Sequence, residues 1–253
     1  MSQPLARYLA GDKPLVVQAK AAAVFTDLHL SGENPIEIQL FVGSLAALAG
    51  KADALIILGD LFDAYIGRED FVHPDFDHLR AAIQYLKSHG CPTFLVRGNR
   101  DVMLNASDGR NLGFTVADSI LLEQIDGPRV LLTHGDAFCL ADLPYQRLRR
   151  ILRFPGMRPM LRSLPFWARW RIARRMRSYS KQEVARKPLD SMALTLPQVK
   201  ATMAEANVEL AVIGHLHAPA RHDLGDGRTL LVLPAWNPGT FARMVPEMLD
   251  ETA

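Results

Sequence analysis

Apolar residues along the chain gather in short blocks, each stopped abruptly by polar residues and usually by a glycine. Ala23-Val24-Phe25-Thr26 runs into Asp27, Ala54-Leu55-Ile56-Ile57-Leu58 into Gly59-Asp60, and Thr93 to Val96 toward Gly98-Asn99. Leu210 to Ile213 ends likewise at Gly214-His215. Unbroken short blocks of this kind predict strands buried on both faces. Between them, residues 36–49 and 76–88 carry apolar positions at helical spacing, the second closed by His89-Gly90. Further on, 120–124 and 130–133 flank Asp126-Gly127, and Asp226-Gly227 precedes 229–233, both tight-hairpin signals. Strands alternating with helices predict an α/β fold, a sheet system covered by helices on both faces. Residues 1–22 read as an N-terminal leader, because Gly11, Asp12 and Pro14 interrupt any periodicity. No internal repeat is visible.

One stretch fits none of this. Between residues 147 and 187 lie fourteen Lys or Arg and the single acid Glu183, a local charge of +13. The rest of the chain holds 15 basic and 26 acidic residues, so the net charge of +2 conceals a sharp asymmetry. Phe154, Met157, Met160, Leu161, Leu164, Phe166, Trp167 and Trp170 are interleaved with the cations, and prolines stand at 155, 159 and 165. Short helices inserted into the main domain are expected here, facing an anionic partner. Basic residues mixed with apolar bulk suit a lipid headgroup boundary or sheltered acyl chains. Nucleic acid is the rival partner, since arginines and aromatics also grip single strands. The density of apolar residues and the lack of a nucleic-acid fold favour lipid over nucleic acid.

The remaining composition narrows the picture modestly. In 253 residues, 49% are hydrophobic and 22% charged, an ordinary globular balance that excludes disorder as the general state. No apolar run approaches the ~18–20 residues needed to cross a bilayer, and no signal-peptide order of basic, apolar and small residues opens the chain. Cys91 and Cys139 are the only cysteines, too few for a disulfide framework or a metal knuckle. A reducing cytoplasm is the expected compartment.

The candidate chemistry sits where the strands stop. Asp27-Leu28-His29, Gly59-Asp60-Leu61-Phe62-Asp63, Gly98-Asn99-Arg100-Asp101, His134-Gly135-Asp136 and Gly214-His215-Leu216-His217 each follow an apolar block. Carboxyl ends of strands are where open α/β folds build their sites. Asp-x-His and His-x-His place two side chains on one face of an extended segment. Any one segment is an ordinary turn, but together they hold four of the eight histidines. Imidazole and oxygen donors without thiolate suit a catalytic Mn, Fe, Zn or Co centre rather than a structural zinc cage.

In order and content these segments resemble the calcineurin-like metallophosphoesterase family over nearly all of residues 23–245. The resemblance implies a β-sandwich flanked by helices and a dinuclear centre. It assigns Asp27, His29 and His217 to one metal, Asn99, His134 and His215 to the other, and Asp60 as the bridge. Asp60, Asn99, Arg100 and His134 become the catalytic set. Where many members carry a histidine after Gly-Asn, this chain has Arg100, a donor to phosphoryl oxygens but no general acid. A phosphoanhydride, whose leaving group needs no proton, fits that exchange.

A narrower resemblance, to UDP-2,3-diacylglucosamine pyrophosphatases of lipid A synthesis, rests on residues 59–67, Gly98-Asn99-Arg100-Asp101, His134 through Cys139, Asp142, Tyr145-Gln146 and 171–181. It implies two manganese ions, UMP and 2,3-diacylglucosamine 1-phosphate as products, and peripheral attachment to the inner membrane through its anionic surface. Asn99, Arg100, Asp142, Tyr145, Ser180, Lys187 and His215 are the implied substrate contacts, with no obligate protein partner. The implied division is a leader at 1–22, a catalytic domain from 23–140 and 190–253, and a helical cap at 141–189. The chain departs from that pattern at Val184, at Ser191-Met192-Ala193 and through Pro234 to Thr240, which touches substrate contacts and leaves the metal set intact. A paralogue acting on another nucleotide diphosphate or phosphodiester is the alternative, and a non-catalytic metal-bound scaffold ranks below it.

Overall fold

In the computed structural model, residues 13–67, 74–125, 127–186, 194–238 and 243–245 are described, without the side chains of 177–186 and 244. Five strands, β1 (Leu15–Ala19), β2 (Ala22–Phe25), β3 (Ala54–Leu58), β4 (Thr93–Val96) and β5 (Thr115–Ala117), alternate with helices α1 (Pro35–Ala46), α2 (Asp75–Ser88) and α3 (Ala106–Leu112). Next come β6 (Ile120–Gln124) and β7 (Arg129–Leu132), then helices α4 (Leu143–Leu152), α5 (Met157–Arg162), α6 (Phe166–Arg186) and α7 (Leu196–Ala206). Strands β8 (Leu210–Ile213), β9 (Ala220–Asp223), β10 (Thr229–Val232) and β11 (Arg243–Met244) complete the order. Two sheets result, ordered β1-β6-β7-β8-β10-β9 and β11-β2-β3-β4-β5.

Alternation along each strand explains why the apolar blocks are unbroken. Ala22, Val24, Ala54, Ile56 and Leu58 face the second sheet and meet Ile120, Leu122, Val130, Leu132 and Val212 in a shared core. Their neighbours Ala23, Phe25, Leu55 and Ile57 point the other way, onto Ile38, Phe41, Leu79 and Ile83 of α1 and α2. Behind the other sheet, Leu131, Ala211 and Ile213 pack on Val199 and Met203 of α7. A strand sandwiched this way has no solvent face, so its polar positions vanish.

The pairing places the strand ends. β2, β3 and β4 run parallel, and so do β7 and β8, so each set delivers its carboxyl ends to one edge of its sheet. Both expected hairpins are present, with β6 antiparallel to β7 and β9 to β10, although Asp126 lies outside the described residues.

Three expectations are corrected. Part of the expected leader is strand: β1 pairs in parallel with β6, an edge position that leaves Val16 exposed and blurs the apolar signal. Residues 1–12 lie outside the described residues. The basic stretch is not only short helices, since α6 alone runs 21 residues. Its charge is also partly compensated inside the protein. Arg149 pairs with Asp136, Arg153 with Asp118 and Arg162 with Asp108, while Arg169 donates to the Ile66 carbonyl. Helices α3 and α7 and strands β5 and β11 have no counterpart among the elements the sequence pattern predicts. Among the described residues no helix is long and apolar enough to cross a membrane.

Candidate metal centre

The first feature of the site is its backbone. Seven described non-glycine residues have positive φ, and Asp27, His29, Asp60, His215 and His217 are five of them. Each left-handed residue costs roughly 1–2 kcal/mol, less for Asp than for most, so the set strains the protein by an amount comparable with a domain's whole net stability. Strain concentrated on residues that share one location is the mark of a functional constraint.

Glycines make the convergence possible by omitting a side chain. A Cβ on Gly98 would collide with the amide and carboxylate of Asp60, and one on Gly214 with Thr26 and Asp27. A Cβ on Gly59, whose φ is 85°, would strike the His134 ring. Backbone bonds then lock the turns together: Asp27 N–H donates to the Gly59 carbonyl, His29 to that of Asp60, and Gly214 to that of His134.

Two clusters result. Asp27, His29 and His217 present ligand atoms to one another, as do Asp27, Asp60 and His134. His29 Nε2 lies 3.3 Å from His217 Nε2, and His134 Nε2 lies 3.6 Å from Asp60 Oδ1. Asn99 joins through Oδ1, 2.9 Å from His134 Nε2 and 3.1 Å from His215 Nδ1. All seven expected residues are therefore brought together.

The donor set fits divalent cations. Nδ1 of His29 is buried without a hydrogen-bond partner, and Oδ1 of Asp27 meets only His217 Nε2 at 3.3 Å, an arrangement that costs free energy unless something binds there. His134 Nδ1 lies 2.8 Å from the Leu58 carbonyl and its Nε2 2.9 Å from Asn99 Oδ1. Protonated, the ring donates at both nitrogens, and a divalent cation would replace the Nε2 proton. Electrostatics agree. Burial raises the Asp60 carboxyl well above its ordinary value, with Asp101 and Asp27 adding to the rise. Burial lowers His29 to about 4 and, with His134 beside it, His215 to about 4, so both imidazoles are neutral lone-pair donors at pH 7. At His134 burial acts downward too, but the carboxylates of Asp60, Asp27 and Asp136 lift it to about 9.

Supporting residues carry no flag in the sequence. Thr26 Oγ1 and the His215 N–H both donate to Asp27 Oδ2. Asp101, wholly buried, accepts from the N–H groups of Asp60 and Leu61 and so fixes the loop bearing Asp60. Its place directly after Gly-Asn-Arg was the only available signal. Arg100 stands at the rim, Nε 4.0 Å from Asp60 Oδ2 and a guanidinium nitrogen 3.8 Å from Asp63.

The other expected contacts divide. Tyr145 reaches the site with its ring, 6.2 Å from His215 at 28°, while its hydroxyl donates to Asp136. Asp142 caps α4 by accepting from the Tyr145 N–H. The side chain of Ser180 lies outside the described residues, and so do Lys187, the Val184 side chain and residues 191–193.

Comparison with known proteins decides the family. A family model for calcineurin-like phosphoesterases matches residues 22–219. The chain belongs to the calcineurin-like phosphoesterase family. The match takes in every cluster residue, so this calcineurin-like phosphoesterase is a metal-dependent hydrolase with Asp/His metal-binding clusters. A UDP-2,3-diacylglucosamine hydrolase of Salmonella arizonae is 36% identical over 91% of this chain and 97% of its own length. The protein of the same name from Escherichia coli O7:K1 is 37% identical over 91% and 96%. Among solved structures, a dimetal phosphatase from Danio rerio aligns over 91% of each chain at TM-score 0.48 and 14% identity.

Proposed function

We propose that this enzyme hydrolyses the pyrophosphate bond of UDP-2,3-diacylglucosamine, releasing UMP and 2,3-diacylglucosamine 1-phosphate for lipid A synthesis. The observation that carries the reaction class is the pair of acid–histidine clusters on strained strand ends. The substrate rests on the relatives that share 36–37% of residues over nearly full length.

In this reading Asp27, His29 and His217 would hold one divalent ion and Asn99, His134 and His215 the other, with Asp60 available to both. Manganese suits the imidazole and oxygen donors. When bound, such a pair would supply an activated water and Lewis-acid stabilisation for displacement at phosphorus. The protein's own groups do the rest. The Leu58 carbonyl fixes the His134 ring, and Asp101 fixes the backbone of Asp60. Arg100 aims a cation at the phosphoryl oxygens as their charge grows. A preorganised donor of that kind is worth roughly 3–4 kcal/mol in the transition state. The leaving sugar phosphate is a stable anion, so no acid is needed.

Residues 141–189 serve as the cap over residues 23–140 and 190–253. Asp142, Tyr145, Ser180 and Lys187 join Asn99, Arg100 and His215 in holding the substrate. Trp167, Phe154, Met160 and Trp170 are about half to two-thirds exposed beside exposed Arg147, Arg150, Arg171 and Arg175. Arg174 lies over the Trp170 ring. Such a surface suits acyl chains and the anionic cytoplasmic leaflet.

Hydrolysis in ¹⁸O-labelled water with manganese tests the reading. Label in UMP is expected, with turnover about 10²–10³-fold slower in Arg100→Ala. Label in the sugar phosphate overturns the attack on the uridine-side phosphorus. No cleavage moves the enzyme to another nucleotide diphosphate or phosphodiester.

A further inference from the structure

Asp136 is 2% exposed and stands two residues beyond His134, at the start of a single 3-10 turn, Asp136–Phe138. A buried carboxylate there needs a reason. Its Oδ2 accepts from the Tyr145 hydroxyl at 2.6 Å and from Arg149 Nε at 2.7 Å. Its own carbonyl accepts from Gln146 Nε2 at 2.8 Å, which also reaches the Cys139 carbonyl. One turn of α4 thus grips both the side chain and the backbone of this residue.

The grip continues into the centre on one side only. Tyr145, fixed at its hydroxyl, stacks its ring on His215, which packs edge-on against His134 at 5.0 Å. Both histidines contact Asn99 Oδ1. His29 and His217 have no link to Asp136 of this kind, and Asp27 meets this side through the His215 backbone N–H.

We propose that Asp136 is a positioning residue that ties helix α4 to the Asn99, His134 and His215 half of the centre, so that the helical segment sets the affinity of one metal and not the other. The inference rests on the two-metal reading above. Residues that orient ligands from behind typically govern metal affinity by about 10–100-fold.

The test titrates full-length, chelator-stripped protein with Mn²⁺, followed by equilibrium dialysis and electron paramagnetic resonance. Wild type is expected to take two ions with an exchange-coupled spectrum. Asp136→Asn is expected to keep the first affinity and weaken the second by about 10–100-fold, giving a six-line mononuclear spectrum at limiting metal. Tyr145→Phe, which removes one donor and keeps the ring, should split the affinities in the same sense by a smaller factor, and it serves alone if Asp136→Asn does not fold. Arg162→Met loosens the helical segment elsewhere, at Asp108, and is expected to lower thermal stability with both affinities unchanged. The proposal is overturned if the variants at Asp136 and Tyr145 leave both affinities intact or lower them together, or if Arg162→Met splits them equally. Wild type that binds fewer than two ions defeats the two-metal reading instead.

Discussion

Around Asp27, Asp60 and His134 the backbone is wedged into place, whereas helices α4 and α5 bury none of their residues. The first region is fixed by packing: five left-handed residues, three glycines with no room for a Cβ, and a core on either side. The second is fixed by half-buried Leu152 and Leu161 against the core and by a few polar links, chiefly Arg149, Arg153, Arg162 and Arg169 reaching acids or a carbonyl below. Side chains that must hold ions to a fraction of an ångström need the first kind of construction. A surface that meets long, variable chains is served by the second, because polar links shift or open locally at lower cost than a core.

The largest effects should come from breaking the packed region. Asp60→Ala removes the acid that the two-metal reading makes common to both ions and is expected to cut kcat by at least about 10³-fold, some 4 kcal/mol of barrier, with less metal retained. Gly98→Ala deletes no functional group, yet its Cβ lands on Asp60, so a comparable loss is expected. Steady-state turnover with metal analysis of the purified variants checks both. Near-normal activity in Asp60→Ala removes that residue from the centre, and in Gly98→Ala it shows that the close approach is dispensable.

The exposed face of the helical segment should respond differently. Phe166, Trp167 and Trp170 each offer on the order of 100 Å² of apolar surface, worth about 2.5 kcal/mol if fully sheltered. Replacing all three with Ser is expected to weaken binding to anionic vesicles by more than about tenfold while leaving turnover of a soluble aryl phosphodiester unchanged. Vesicle sedimentation reads the first and absorbance the second. Unaltered vesicle binding joined to tight RNA or DNA binding at physiological salt would reverse the assignment to lipid.

The same contrast explains what could be read from the chain alone. Strands β2, β3, β4 and β8 were legible because burial on both faces erases polar positions, and their sharp ends displayed Asp27, Asp60, Asn99 and His215. Strand β1 hid because an edge strand with exposed Val16 lacks that contrast. Helix α7 hid because only Val199, Thr202 and Met203 of its residues are buried. The basic stretch looked like free charge because its partners are distant in sequence. Asp118 lies 35 residues from Arg153, and Asp108 lies 54 from Arg162. No periodicity reports such pairs. The strained φ values at the ligands were equally invisible, since Asp and His announce no conformation as Gly does.

The smallest effect, and the cleanest probe of a polar link, concerns Arg162 and Asp108. Asp108 is fully buried, and Arg162 donates to both its oxygens, at 2.5 Å and 3.1 Å. Burial raises this carboxyl, but the hydrogen bond from Arg162 outweighs it with help from Tyr65, and the net value falls below the ordinary 3.8. A carboxylate whose folded pKa is depressed favours folding above its unfolded pKa. There both states are ionised and the folded one keeps its bond. As pH falls through about 4 the unfolded chain takes up the proton first, so that contribution is lost progressively toward the folded pKa. Arg162→Met should therefore cost about 1.5–3 kcal/mol near pH 7, the range for a hydrogen bond to a charged group. The gap should narrow as pH drops from about 5 to 3. Urea unfolding of metal-free wild type and variant across that range measures it, with both proteins sharing whatever the histidines contribute. Parallel curves would mean that the pair stabilises by packing alone, and the helical segment would then be held by the same means as the core.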